Sequence, residues 1–155
     1  MAEVHGAGHG TGGQPRTFVT TARVRYGDTD QGSVAYHANY LLWFEEGRNE
    51  MLRELGRPYA LVEREDAVLL TVVEANLRYH RPARYDDVLR IETRLVSLRR
   101  VRLQLETSIF SEDRQSLLTT GAITLACVDP SGVPVALPQS LRECLARAFE
   151  PAGEV

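Results

Sequence analysis

The chain has 155 residues, which is enough for one domain with a hydrophobic core and short for two. Hydrophobic residues make up 43% of it and charged residues 25%, a composition typical of a globular domain. The formal net charge of −3 gives no electrostatic reason to expect nucleic acid or an anionic membrane surface as a partner. No stretch resembles a signal-peptide core or a membrane span, so we expect no membrane insertion and a cytoplasmic location.

The first residues differ in composition from the rest of the chain. Residues 1–15 are rich in Gly and His and nearly free of large apolar side chains. We predict a disordered tail there, followed by one folded domain over residues 16–150. His5 and His9 are metal-ligand types, but this composition favours a solvated tail over a metal site. The run FVTTARVRY, residues 18–26, is rich in β-branched and aromatic side chains and predicts the first strand.

A long helix is predicted to follow the first strand. One stripe recurs at helical spacing and consists of Tyr40, Phe44, Gly47, Met51 and Leu55. Asn39 is the predicted N-cap, and Gly56 followed by Pro58 is predicted to end the helix. Glycine is unfavourable inside a helix, so Gly47 on the buried stripe is expected to let the helix approach another backbone closely.

After the helix the hydrophobic period drops to two. Apolar-biased runs at residues 68–82 and 115–128 flank two alternating segments, whose predicted buried sides are Leu89, Ile91, Thr93 and Leu95, then Val101, Leu103, Leu105, Thr107 and Ile109. A short closing helix is predicted over residues 141–149. We predict a strand, a helix and then four strands in a meander: an α+β domain with a five-stranded antiparallel sheet. One helix cannot cover both faces of that sheet, which predicts a homodimer or a larger assembly.

The segment between the first strand and the helix has the groups needed for acyl transfer. Asp30 lies in a loop that turns at Gly32 and enters the helix. The first turn of a helix presents free N–H groups and the positive end of the dipole, which polarise a carbonyl and stabilise an oxyanion. A nearby carboxylate could attack that carbonyl carbon or activate water toward it. Such chemistry requires no metal.

The same segment resembles the signature of a known family. Residues 28–40 read D-T-D-x-x-S-V-x-Y-H-A-N-Y, a pattern similar to that of the hotdog-fold acyl-CoA thioesterases. The likeness is greatest to the 4-hydroxybenzoyl-CoA thioesterase branch that includes Tol-Pal-associated bacterial enzymes. It extends over residues 17–140 through the segments FEEGRNEMLRELG, VVEANLRYHRPARYDDVLRIETRL and ITLACVDPSGVPVALP. The resemblance implies a single hotdog domain, in which the sheet wraps around the central helix.

The resemblance also implies roles for individual residues. The second aspartate of D-T-D, Asp30, matches the catalytic carboxylate of the family. His37 matches the residue whose backbone N–H meets the thioester carbonyl, and its ring is a candidate for orienting water or substrate. Tyr36 is expected to line the acyl pocket. Ser33 departs from the pattern, because many relatives have a second glycine there; a positive φ at Ser33 would cost about 1 kcal/mol.

In the family the site lies between subunits, with the pantetheine arm threading between them. The resemblance therefore implies a homodimer or homotetramer acting on an acyl-CoA, with an acyl carrier protein as another candidate carrier. Coenzyme A is part of the substrate, and no separate cofactor is implied. Arg99 and Arg100 are candidate phosphate contacts, and Arg81 is a weaker one. Side chains expected to shape the acyl pocket are Tyr40, Trp43 and Phe44.

Other interpretations of these residues stay open. Asp28 and Asp30 are also typical Asx-turn residues, and we assign that structural role to Asp28. Another hotdog branch takes its carboxylate from the helix, so Glu45 and Glu46 are secondary candidates. A metal site from Asp28, Asp30 and His37 lacks a further clustered ligand, and we predict none.

Other reaction classes find less support in the sequence. No serine lies in a G-x-S-x-G elbow, and neither Cys127 nor Cys144 has a histidine nearby in sequence. Nucleophilic serine or cysteine catalysis is therefore not expected. The hotdog fold also hosts acyl-thioester hydratases and dehydratases, and a non-catalytic acyl-thioester binding protein is a further alternative.

Overall fold

A computed structural model describes residues 13–149 of the chain. Residues 1–12 of the predicted tail lie outside this range. Residue 150, the last of the predicted domain, also lies outside it. The elements in chain order are β1 (Phe18–Arg23), α1 (Asn39–Glu54), α2 (Tyr59–Leu61), β2 (Leu69–Tyr79), β3 (Val88–Leu98), β4 (Arg102–Ser111), β5 (Leu117–Val128) and α3 (Gln139–Ala146). No helix in the described range is long and apolar enough to cross a membrane.

The five strands form one antiparallel sheet in the order β1-β3-β4-β5-β2. This confirms the predicted α+β class. The predicted meander is correct for β3, β4 and β5 but wrong for β2, which pairs with β5 at the far edge. The connection from β2 to β3 crosses the end of the sheet, where Ala83 and Asp87 accept hydrogen bonds from Ala35 and Val24. Those contacts place β3 beside β1 rather than beside β2.

The core lies between α1 and one face of the sheet. All members of the predicted helical stripe are buried, as are the predicted inner residues of β3 and most of those of β4. Gly47 lies directly over β3. A Cβ added there would be 2.8 Å from Ile91 Cγ2 and closer still to Thr93 Oγ1. The predicted close approach is therefore observed, although the nearest atoms belong to side chains.

The start of α1 differs from the prediction in one respect. The N-cap is Ala38, and Asn39 is the first helical residue. The Asn39 side chain does not cap the helix because its Nδ2 donates to the carbonyl of Asp28 at 2.8 Å. It therefore ties the helix to the preceding loop. At the other end, Gly56 has φ +85° and stops the helix as predicted.

The outer face of the sheet is polar rather than apolar. Ion pairs join Arg94 to Glu106 at 2.9 Å and Arg114 to Glu92 at 2.8 Å, and Arg90 also contacts Glu92 at 2.9 Å. Long side chains thus cover the face that α1 leaves open. This face offers little apolar area for a second copy, so any apolar subunit contact has to lie elsewhere.

Exposed apolar residues gather instead along the free edge of β2. Val72 and Val73 on β2 and Leu41 and Leu42 on α1 are each between 43% and 56% exposed. Val73 lies at a break in the β2–β5 register. We call these four residues the edge patch. An unpaired strand edge beside apolar side chains is a surface that a second chain can cover.

Candidate active site

Asp30 lies at a tight turn between β1 and α1. Its Oδ1 accepts the Gly32 N–H at 2.7 Å, and its carbonyl accepts the Ser33 N–H at 3.0 Å. The Asp30 N–H donates to the Val34 carbonyl at 3.0 Å, which closes a small hairpin. Ser33 has φ 60°, the strained conformation anticipated for that position. The turn holds one carboxylate oxygen of Asp30 while the residue remains exposed to solvent.

Asp28 has the structural role assigned to it. Its side chain is buried and accepts hydrogen bonds from the Arg25 backbone N–H at 2.8 Å and from the Arg25 guanidinium at 3.0 and 3.2 Å. Its carbonyl accepts the Tyr36 N–H and the Asn39 side chain, both at 2.8 Å. The Arg25 guanidinium lowers the pKa of the Asp28 carboxyl, against the opposing effect of burial. Asp28 therefore fixes the loop that carries Asp30 and His37.

This pair predicts a pH-dependent stability. A carboxyl whose pKa is lower in the folded state stabilises the fold at pH values above its unfolded-state pKa of about 4. This stabilisation is lost as the pH falls through the lower pKa of the folded state. We expect Arg25→Met to lower the free energy of unfolding at pH 6 and to differ less from wild type at pH 3. Urea denaturation at both pH values measures this. Arg53→Met, which breaks an exposed pair with Glu50, is the control, and an equal Arg25→Met difference at both pH values would contradict the prediction.

The peptides just before α1 have free N–H groups. Neither the His37 N–H nor the Ala38 N–H donates a hydrogen bond to any residue between 13 and 149. The next amide, that of Asn39, bonds to the Tyr36 carbonyl at 2.9 Å. Two adjacent unpaired amides at the positive end of the helix dipole form a place for a carbonyl oxygen or an oxyanion.

A cavity of about 290 Å³ opens beside these amides. It is lined by Ala35, His37, Tyr40, Tyr79, His80, Arg81 and Pro82. Of these, His37 and Tyr40 were predicted site residues, and Arg81 was a weaker candidate. Tyr79 and His80 were missed, because they end a strand whose apolar run signals only sheet structure. Asp30 does not line this cavity; it lies in the turn that precedes His37 on the same loop.

The predicted aromatic residues occupy different environments. Tyr40 is buried and its hydroxyl accepts the Ala83 N–H at 3.1 Å; burial raises its pKa. Trp43 is buried in the core against Tyr40, with ring centroids 5.0 Å apart. Tyr36 is 46% exposed and packs on the His37 ring at 4.5 Å. Tyr79 packs edge-on against Tyr40 at 5.3 Å.

Most of the chain is similar in sequence to one known protein family. A profile of the Thioesterase-like superfamily matches residues 24–145, which include the Asp30 turn, the start of α1 and the whole sheet except β1. The chain belongs to this superfamily. The match confirms the family predicted from the D-T-D segment.

Individual relatives agree with the membership. The chain is 38% identical over 127 residues to the acyl-CoA thioester hydrolase YbgC of Escherichia coli, covering 80% of this chain and 92% of that protein. It is 32% identical over 126 residues to the acyl-CoA thioesterase YbgC of Haemophilus influenzae, with 81% and 91% covered. A DHNA-CoA thioesterase of Staphylococcus aureus superposes with a TM-score of 0.79 at 28% identity, covering 84% and 89%. These matches confirm the hotdog fold.

Two of the predicted site residues, Arg99 and Arg100, lie far from His37. Arg99 and Arg100 are exposed in the hairpin between β3 and β4. His37 lies beside Tyr79, whose row in the sheet is at the opposite end of β3. The Tyr79 row meets β3 at Ile91, eight residues before Arg99, so about 26 Å of strand separates that row from the hairpin. A short ligand bound beside His37 therefore cannot also contact Arg99 or Arg100 of the same protomer.

The helix carboxylates of the thioesterase-like chain face away from the core. Glu45 and Glu46 are both exposed. Glu45 lines a cavity of about 240 Å³ between α1 and β2, together with Arg48 and apolar residues that include Leu41 and Val72. Partial desolvation and, to a lesser extent, the neighbouring Glu50 raise the pKa of the solvent-exposed Glu46 carboxyl. Neither glutamate lines the cavity beside His37.

The described part of the chain contains no cluster of metal-ligand side chains. Among residues 13–149, no three His, Cys, Asp or Glu side chains are placed to hold a metal ion. The Asp28 carboxylate is engaged by Arg25, which makes it a poor metal ligand. His5 and His9 lie outside the described residues.

Proposed function

We propose that the protein hydrolyses acyl-CoA thioesters to the free acid and coenzyme A. The observation that carries the proposal is a single loop that bears the Asp30 carboxylate and ends in the free amides of His37 and Ala38, with Asp28 and Asn39 tying that loop to the start of α1. Carboxylate and amides are the two parts that acyl transfer requires. The names of the relatives, which are acyl-CoA thioester hydrolases, support the same reaction.

In the proposed mechanism the thioester carbonyl binds at the start of α1. The His37 N–H donates to the carbonyl oxygen and stabilises the oxyanion that forms when the carbon is attacked. Asp30 either removes a proton from the attacking water or attacks the carbonyl carbon itself to form a mixed anhydride, which water then hydrolyses. In both routes the C–S bond breaks and the thiolate of coenzyme A takes up a proton. Single-turnover hydrolysis in heavy-oxygen water tests for the anhydride, because label enters Asp30 only when water attacks the Asp30 carbonyl of a mixed anhydride.

We propose that the active unit is a homodimer formed across the edge patch. Arg48 supports this location: it is only partly exposed, burial lowers its pKa, and it makes no hydrogen bond or ion pair with residues 13–149. Desolvated cations are normally paired, so a group from a second copy is the expected partner. Antiparallel pairing of two β2 edges would also bring the partner's β3–β4 hairpin to the end of the sheet that carries His37. That arrangement would make Arg99 and Arg100 phosphate contacts across the interface.

We expect Val72→Glu to convert the dimer into monomers, because it places a charge at each copy of the symmetric contact. Sedimentation velocity measures the change. Val133→Glu, an equally exposed valine in the turn after β5, is the matched control and is expected to leave the mass unchanged. A Val72→Glu protein that keeps the mass of the wild type would move the interface away from the edge patch.

The test of the function is thiol release from a panel of short, long and aromatic acyl-CoA thioesters. Release from any of them supports the proposal, and the preferred acyl group identifies the substrate class. Hydration of an enoyl-CoA without thiol release would instead identify a hydratase. Turnover of acyl carrier protein thioesters alone would show that the substrate carrier is that protein and not coenzyme A. Tight binding without turnover would favour a binding protein. The cytoplasmic location and the absence of a separate cofactor stay predictions.

A further inference from the structure

We propose that Tyr79 is a positioning residue for the amides at the start of α1. Tyr79 is the last residue of β2, and its hydroxyl donates to the His37 carbonyl at 2.8 Å. This bond links the end of β2 directly to the peptide between His37 and Ala38. The inference rests on the proposed function, because it assigns Tyr79 a part in holding the group that receives the thioester carbonyl.

The contact acts on the peptide between His37 and Ala38. A peptide unit is planar, so a hydrogen bond that holds its carbonyl also sets the direction of the Ala38 N–H on its other side. The same bond restricts rotation at His37, whose own N–H is the predicted oxyanion donor. Donation to a carbonyl also polarises the peptide and strengthens its N–H as a donor. Tyr79 therefore influences both the direction and the strength of the free amides.

Tyr79 is half-exposed, but its ring and its backbone both have partners in the fold. Its ring packs edge-on against Tyr40 with centroids 5.3 Å apart, and the Tyr40 hydroxyl accepts the Ala83 N–H at 3.1 Å. The Tyr79 backbone pairs with Thr119 of β5. The hydroxyl thus projects from a fixed strand and a fixed ring toward His37. A donor held this way keeps its geometry when substrate enters, which is the requirement for preorganised stabilisation of an oxyanion.

The test is Tyr79→Phe, which removes the hydroxyl and keeps the ring against Tyr40. We expect kcat for thiol release to fall about tenfold, less than for loss of a direct oxyanion donor, with KM within about twofold of wild type. The melting temperature should fall by no more than about 4 °C. Tyr85→Phe is the matched control, because Tyr85 is exposed, packs edge-on against Tyr26 and makes no side-chain hydrogen bond within the described residues. It is expected to behave as wild type.

A second readout does not depend on catalysis. In ¹H–¹⁵N spectra, Tyr79→Phe is expected to shift the backbone amide signals of His37 and Ala38, whereas Tyr85→Phe leaves them in place. If no acyl-CoA is hydrolysed, the proposed function fails, but these shifts still test the positioning role. Unmoved amide signals, or a wild-type kcat in Tyr79→Phe, would overturn the inference. A raised KM with unchanged kcat would also overturn it, since Tyr79 would then be a substrate contact.

Discussion

Asp30→Asn is expected to lower the rate of thiol release from acyl-CoA about a hundredfold or more, because an amide can neither accept the proton of water nor attack the carbonyl. The fold should survive the change. The asparagine Oδ1 can still accept the Gly32 N–H that Asp30 accepts at 2.7 Å, so the turn keeps its hydrogen bond. Steady-state kinetics on the preferred acyl-CoA, together with a melting curve, measures both effects.

The matched control for Asp30→Asn is Asp129→Asn. Asp129 also lies in an exposed turn, and its Oδ1 accepts the N–H two residues on, from Ser131, at 2.9 Å. The turn follows β5, at the end of the sheet opposite Tyr79. We expect this variant to retain the wild-type rate. Equal rates in all three proteins would remove Asp30 from the mechanism and direct attention to Glu45 and Glu46.

Gly47→Ala is expected to lower the free energy of unfolding by about 2 kcal/mol. The added methyl would overlap Ile91 and Thr93 of β3, and overpacking of this kind costs about 1–3 kcal/mol. Alanine is the better helix former by about 1 kcal/mol, so intrinsic propensity alone predicts the opposite sign. Urea denaturation measures the difference. Because the total stability of such a domain is about 5–15 kcal/mol, a larger residue such as leucine is expected to prevent folding.

Gly27→Ala controls for the removal of a glycine. No atom lies within 4 Å of a Cβ added at Gly27, and its φ is not positive. We expect this variant to unfold within about 0.5 kcal/mol of wild type, as is usual at an unconstrained surface position. If Gly47→Ala were equally stable, the helix would have room to move away from β3, and the tight packing at Gly47 would not limit stability.

Several features of the fold could be predicted from local sequence. The stripe of α1 and the alternation in β3 and β4 report which side chains face the core, because each period reflects the geometry of one element. The buried residues Phe44, Met51, Ile91 and Leu105 follow from these periods alone. The short helical turns over residues 59–66 were missed, since no periodic pattern extends over so few residues.

The candidate site could be predicted only in part. The D-T-D segment predicts Asp30 and His37 as site residues because they lie on one continuous loop and helix start. Tyr79 could not be found this way: its contact with His37 joins residues 42 positions apart. The position of Asn39 predicts a helix cap, yet its side chain turns toward Asp28 because that carbonyl lies within reach.

The fold class, the long helix, the five strands, the family and the loop that carries Asp30 could all be predicted from the sequence. Tertiary structure decided which strands are neighbours, and so which edge is free. Periodicity within a strand is a local property, whereas strand order depends on how the 80–87 connection crosses the sheet end. That crossing leaves β2 with an exposed apolar edge, brings Tyr79 to the His37 carbonyl, and puts Arg99 and Arg100 at the end of β3 remote from His37. The strand order and the positions of these residues depend on long-range contacts, which no short segment of sequence predicts.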